Sequence, residues 1–483
     1  MVVNSINFWI FFTLFLLAYY TLFRKSSRGQ NVWLLVASYV FYGWADWKML
    51  PLLAVVTLVY YLLGAAISKN NKPNPRLASR LTTLGVVLGV GVLIYFKYFG
   101  FFVKEFTQAL NSIGIHANMG TFNIIMPVGI SFFTFKLMSY VIEIHRENIS
   151  PTKNLVDFGT YVAFFPTILS GPIDRPNKFI PQLTTARQAT NDNLSEGFKR
   201  VLWGMFLKMC IADRISPWTD AVLNNYSHHS NISFIIASIL YMIQMYADFC
   251  GYSDMAIGVS RIMGLKVAEN FNRPFFSENV IGYWRRWHMS LTSWITDYVF
   301  MPLNISFRNW GQWGLYLATV INLVVIGAWH GANWTYALFG LYHGLLLVVA
   351  TSLEKRRKKF EKKHHLKKNE LYKWSRRLLT FILCVIGAAI FRAETVGDFF
   401  SAIARLPYGF GRLYTEEFLQ VVLLGGISLL VMFFKEYKDE YKKDIHFLHS
   451  SKPIVSIVST VLLICYIIFN GALDGGQFIY FQF

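Results

Sequence analysis

Residues 315–353, LYLATVINLVVIGAWHGANWTYALFGLYHGLLLVVATSL, decide the class of this fold. Two apolar runs, 315–329 and 334–353, flank the tripeptide Trp329-His330-Gly331 and the step Ala332-Asn333. The runs approach the roughly 20 apolar residues with which a helix crosses a bilayer, and the glycine between them marks a turn. The stretch therefore reads as a helical hairpin with an imidazole at its tip. An ionisable side chain at membrane depth is costly, so its default reading is functional. The competing reading is a histidine satisfied within the packing.

The same pattern recurs through 483 residues that are 54% hydrophobic and 15% charged, a composition typical of integral membrane proteins. Apolar runs lie at 6–23, 32–45, 52–67, 84–102, 122–144, 198–215, 232–249, 315–330, 334–353, 378–391, 418–434 and 454–469. The expected fold is an all-α polytopic membrane protein with about 11–12 transmembrane helices plus re-entrant or amphipathic helices, forming a single domain over 1–483. The first run lacks a basic leader and a small-residue cleavage site and ends in Arg24-Lys25, so it reads as a retained anchor.

A formal charge of +19 raises the question of nucleic acid, but the charge sits in loops between the apolar runs. The densest cluster runs from Lys355-Arg356-Arg357-Lys358-Lys359 through Lys362, Lys363, Lys367, Lys368, Lys373, Arg376 and Arg377. Positive-inside topology and attraction to anionic lipid account for it without a nucleic-acid partner. With that loop in the cytosol, the loops around Arg24, Arg76 and Lys435 join it, and both termini come out external. The intervening stretch 217–232 contains no Lys or Arg, as an external loop should. The four cysteines, Cys210, Cys250, Cys384 and Cys465, show neither disulfide nor ligand spacing, so no metal site is expected. Phosphate-binding glycine loops and fixed-period repeats are equally absent from the sequence.

Several segments resist a plain helical reading. Met126-Pro127-Val128-Gly129-Ile130 opens a run with a proline and a glycine, which predicts either a kink or a break. Phe164-Phe165-Pro166-Thr167 and Ser170-Gly171-Pro172 interrupt the run after Leu155, and 155–172 reads as a re-entrant hairpin. Broken backbone inside a bilayer is tolerated where protein buries it or where it lines a cavity. An interior cavity is the expectation.

The middle third is polar in the same way. Gln244 and Asp248 share a helical face at i and i+4, and Asp254 follows; buried carboxylates of this kind need an Arg or His partner or a proton. Next come Asn270-Phe271-Asn272-Arg273-Pro274-Phe275 and Trp284-Arg285-Arg286-Trp287-His288. Aromatic rings beside arginines mark a membrane interface. The same chemistry suits a nucleotide-bearing donor, with guanidinium groups on phosphates and rings on an adenine. This places His288 at the cytosolic edge and His330 near the outer turn, on opposite faces. In a continuous helix His343 would lie roughly 20 Å beyond His330 and about 220° around, which predicts a structural role for it. Asn333 and Trp334 would share a face with His330 if their helix begins early.

These motifs together resemble the membrane-bound O-acyltransferase (MBOAT) family, and within it the bacterial alginate O-acetyltransferase membrane subunit and its relatives. The likeness is carried by Pro127-Val128-Gly129-Ile130-Ser131-Phe132, Ser170-Gly171-Pro172-Ile173 and Asp248 through Gly251-Tyr252-Ser253-Asp254-Met255-Ala256. The most specific pieces are Asn270 through Phe275, Trp284-Arg285-Arg286-Trp287-His288-Met289-Ser290-Leu291 and Trp329-His330-Gly331-Ala332-Asn333-Trp334, with the closing Phe478-Ile479-Tyr480-Phe481-Gln482-Phe483. It covers nearly the whole length; Cys250, where a small serine- or alanine-like residue is expected, is a minor departure.

The resemblance implies helices ringed around a central tunnel, a catalytic histidine at His330 and a second functional histidine at His288. Asn270, Asn272, Arg273, Trp284, Arg285, Arg286, Trp287, Asn333 and Asp248 are then candidates for the donor and tunnel side. It further implies acetyl-CoA as donor substrate with no bound cofactor, and an acceptor on the outer face of a bacterial cell membrane. That acceptor is a cell-surface polysaccharide hydroxyl or an extracytoplasmic serine-hydrolase-like protein that handles the acyl group. A neutral imidazole suits the general-base step. Two rival readings stand beside it: a teichoic acid D-alanyl transferase fed by a carrier-protein thioester, and a proton-coupled transporter or flippase. The sequence does not name the polysaccharide.

Overall fold

The computed structural model describes residues 3–115, 124–416, 418–442, 447–472 and 478. Of the closing hexapeptide only Phe478 is among them, and the start of the run at 122–144 also falls outside. The described residues are helical, with no strand among them. Among the described residues, seven helical stretches are long and apolar enough to cross a membrane: Ser27–Asn70, Pro75–Ser112, Asn231–Ile262, Arg308–His330, Trp334–Lys363, Glu370–Arg392 and Pro453–Asn470, with Ile6–Thr21 as a shorter apolar helix. The protein is an all-α, multi-pass membrane protein.

Fewer long spans form than the run of apolar segments predicts, for identifiable reasons. Ser27–Asn70 absorbs two expected spans, as helices Ser27–Asp46 and Leu50–Asn70 joined by the short turn Trp47–Met49. The segment at 198–215 carries Lys208 and Asp213 and passes through a π-helical stretch, Phe206–Ala212. The helix expected from 122 starts only at Ile130. Pro127 therefore precedes a helix and does not kink one.

By contact pattern the chain divides into two compact units: Met1–Val201 with Ser253–Ala268, and Leu202–Tyr252 with Glu269–Phe483. In the first, side chains of Ser5, Ser26 and Asn74 accept the amides of Phe8, Gly29 and Leu77, supplying the helix caps that orphaned N–H groups require. Phe165 packs among Phe11, Phe15 and Phe41, each 5.6 Å away between centroids. The segment predicted to be re-entrant is a nine-residue helix, Leu155–Ala163, broken at Phe164 and followed by Phe165–Ile168. Gly129 (φ +74°) sits so close to the Ile168 carbonyl that a Cβ there would collide with it. Only glycine serves both that dihedral and that approach. Asp254 pairs with Arg200 at 2.6 Å, the kind of partner its burial called for.

The second unit contains the hairpin. Helices Gly311–His330 and Trp334–Lys363 approach backbone to backbone, since a Cβ on Gly327 would strike the Tyr336 carbonyl and one on Gly340 the Leu323 carbonyl. Small residues allow such contact between apolar helices that gain nothing by hiding from lipid. Between helix Asn231–Ile262 and the hairpin the chain is a series of short helices, including Val280–Trp284, Met289–Ile295 and Met301–Ser306.

Candidate active site

His330 is the last residue of its helix, and the extended backbone of Gly331 ends that helix before Asn333 starts the next. The imidazole is 5% exposed. It meets Trp329 and Phe391 edge-on, both at 5.0 Å between centroids, and Phe339 at 6.3 Å.

The expected separation of the two histidines across the bilayer is not what forms. The His288 ring lies 5.7 Å from that of Trp329, which in turn lies 5.0 Å from that of His330. The segment carrying His288 is folded into the protein, where Asn270, Trp284, Trp287 and His288 are all buried. Several of its polar groups hydrogen-bond one another, as buried irregular backbone requires.

That satisfaction is specific. Asn270, fully buried, accepts at Oδ1 from the Ser290 hydroxyl at 2.5 Å and the Ser290 amide at 3.4 Å, with His288 Nδ1 at 3.3 Å. A backbone N–H can only donate, so the atom it meets is the carboxamide oxygen, and His288 Nδ1 must carry the proton. The lone pair is thereby left on Nε2. Two backbone bonds, Met289 N–H to Asn270 O at 2.8 Å and Asn272 N–H to Arg286 O at 3.0 Å, zip the two motifs together. His288 itself takes a left-handed conformation (φ +43°) to cap helix Met289–Ile295, and Phe249 closes on its ring at 4.6 Å. His288 lies outside the membrane-crossing helices, and burial pushes its pKa down to about 3. The ring is neutral at physiological pH.

The arginines depart from the phosphate-binding expectation. Arg273 Nε donates to one oxygen of Glu440 at 2.8 Å and Arg286 to the other at 2.9 Å. Burial raises the Glu440 pKa, but hydrogen bonds from Arg286 and Arg273 outweigh it and hold the carboxyl below its ordinary range. Arg285 is exposed, as is Asn272. Nor do the tryptophans offer a face for an adenine. Trp284 and Trp287 are 5% and 4% exposed; Trp284 Nε1 donates to His343 Nδ1 at 3.4 Å, and Trp287 stacks on Tyr283 at 5.4 Å. A dense aromatic neighbourhood claims both rings for the core.

The remaining candidates have definite partners. Asn333 is a helix cap, accepting from the Thr335 amide at 3.0 Å and donating to the Glu394 carbonyl at 2.9 Å, while Trp334 is 57% exposed and does not share the buried setting of His330. Asp248 is buried and takes Lys208 Nζ at 2.6 Å, with Asp213 on the same ammonium at 2.8 Å, where an Arg or His partner was expected. Its neighbour Gln244 accepts from Thr219 at 2.6 Å. His343 comes nearer His330 than a continuous helix allows, because the chain breaks at Gly331: Phe339 touches both rings, at 4.7 and 6.3 Å. Phe391, Lys208 and Glu440 escaped the sequence reading, and Trp329 entered it only as part of the motif around His330. Only Lys208, a lone cation in an apolar run, left a signal there.

In all, a buried pair of imidazoles around one indole, one of them with a fixed tautomer, can accept a proton out of contact with bulk water. Residues 36–386 match the membrane-bound O-acyltransferase family. The chain is 35% identical over 454 residues to the probable alginate O-acetylase AlgI of Pseudomonas putida, covering 91% of this chain and 88% of that protein. It is 28% identical over 408 residues to the peptidoglycan O-acetyltransferase of Helicobacter pylori, covering 77% and 73%. With the teichoic acid D-alanyltransferase of Bacillus subtilis it shares 34% identity over 247 residues, half of this chain and 62% of that one. The chain thus belongs to the membrane-bound O-acyltransferase family and is an O-acyltransferase.

Proposed function

We propose that this enzyme is a membrane O-acetyltransferase, moving acetyl from cytosolic acetyl-CoA to a hydroxyl on the extracytoplasmic side, in the cytoplasmic membrane of a bacterium with both termini external. The observation that carries the reading is the buried His288–Trp329–His330 cluster in a chain that matches acetylating relatives over 91% and 77% of its length. The acceptor is a cell-surface polysaccharide hydroxyl, reached directly or through an acyl-handling protein of the serine-hydrolase type.

In this mechanism His330 takes the proton of the acceptor hydroxyl as its oxygen attacks the thioester carbonyl. The C–S bond then breaks, and the thiolate leaves with the coenzyme and recovers the proton from the imidazolium. General-base assistance of this kind contributes typically 10²–10⁴-fold. His288, held neutral, offers its Nε2 lone pair on the donor side. With Arg273 and Arg286 joined through Glu440, the exposed Arg285 is the guanidinium of the motif best placed for a donor phosphate. Asn270, Asn272, Trp284, Trp287, Asp248 and Asn333 shape the site and need not touch the donor.

The test compares donors. Purified protein should consume acetyl-CoA and ignore a D-alanyl carrier-protein thioester; the reverse preference would move the enzyme to the teichoic acid class.

A further inference from the structure

A cavity of about 130 Å³ lies at the C-terminal end of helix Glu370–Arg392. Asn224, Tyr226, Arg392, Glu394 and Asp398 give it polar groups, and Phe234 and Phe399 are the phenyl rings in its lining. Two connections tie this wall to the histidine cluster. Phe391, one residue before Arg392, packs against His330, and Asn333, in the loop after His330, holds the Glu394 carbonyl.

The lining is held in place. Arg392 donates to Asp220 at 3.1 Å and to the side-chain oxygen of Asn224. Tyr226 donates its hydroxyl to Asp398 at 3.3 Å, and Asp398 is itself locked in a capping box with Thr395. Groups fixed in this way bind with little ordering cost. The basic cluster flanks the other end of the same 23-residue helix, about 34 Å away, so the cavity and the basic loop lie at opposite ends of it.

Its volume falls below the roughly 300 Å³ at which ordinary ligand pockets begin, room for one ring and not for a whole ligand. Planar amide, guanidinium and carboxylate groups beside aromatic faces suit a ring with hydroxyls on its edge and C–H groups on its faces. The charge is net acidic: Arg392, already paired with Asp220, stands against Glu394 and Asp398. A carboxylate on the ring would be repelled.

The geometry points to this cavity as an anchoring subsite for the acceptor, taking one uncharged pyranose ring of a glycan while the adjoining ring reaches the His330 side of Phe391. This rests on the acetyl-transfer reading above, and its test is separable from that reading. Saturation-transfer NMR on the full chain in detergent uses a glucose tetrasaccharide as probe and a uronate tetrasaccharide as comparison, with acetyl-CoA turnover measured on the same preparations. The neutral probe should bind in the millimolar range and the uronate more weakly. Ala393→Trp, which fills the cavity, should weaken binding at least tenfold, and Tyr226→Phe, a change too small to disturb folding, about threefold. Binding that favours the uronate, ignores both substitutions, requires an added extracytoplasmic protein or is absent altogether would overturn the subsite. Intact turnover without sugar binding removes the subsite alone, and sugar binding without turnover removes the transfer reading alone.

Discussion

The carboxamide oxygen of Asn270 stands 3.3 Å from Nδ1 of His288 and decides which nitrogen of that ring holds the proton. Both side chains are buried, so the choice is not renegotiated by solvent. Asn270→Ala should therefore lower kcat by at least about tenfold, on the scale of general-base contributions, with little change in acceptor KM. Asn270→Asp, which keeps an acceptor at the same place, should recover part of the loss. Equal damage from both substitutions would mean that Asn270 serves packing and not the tautomer.

The neutral His288 also sets a pH dependence of stability. Its folded pKa of about 3 lies below the ordinary 6.5, so the unfolded chain binds the extra proton between those values. The stabilisation is present above about pH 6.5 and is lost as pH falls toward 3. Thermal unfolding in detergent should show that decline, and His288→Asn should flatten part of it. An unchanged profile in the variant would contradict the assignment.

Glu440 joins Arg273 to Arg286 and so holds the two motifs that place Asn270 and His288. Glu440→Gln loses its charge and leaves two guanidinium groups sharing a neutral amide. A cost of about 1–3 kcal/mol is expected, as for hydrogen bonds to charged groups, together with a raised donor KM. Both are readable from melting curves and from donor saturation.

Lys208 pairs with both Asp248 and Asp213, and all three side chains are buried. Lys208→Met strands two buried carboxylates and should cost about 3–5 kcal/mol, whereas replacing all three by apolar residues of similar volume should cost much less. Chemical denaturation of the single and triple variants checks the order. A triple variant as unstable as the single would show that the ion cluster does more than satisfy itself.

What could be read in advance follows from what local sequence encodes. The hairpin around His330 and the broken helix at Phe164 rest on apolar runs and on proline and glycine, whose effects are local, whereas the helix expected from 122 begins at Ile130. The need of Asp254 for a cation is local too. The meeting of His288 with Trp329 was not legible, because hydrophobic periodicity fixes a register within one helix and not how a chain of short helices packs against another. The arithmetic that separated His343 from His330 assumed a continuous helix, and Gly331 breaks it. Glu440 lies 154 residues from Arg286, and no spacing rule reaches that far. The tryptophans misled for a related reason: an interfacial aromatic and a core aromatic look alike until their neighbours are known.

The most direct measurement of the central claim uses sealed vesicles holding the purified protein, with labelled acetyl-CoA on one face and a hydroxyl acceptor on the other. The intact chain should place label on the far acceptor while the coenzyme stays behind, and His330→Ala, folded to the same extent, should not. Transfer that survives the His330→Ala substitution would contradict the account.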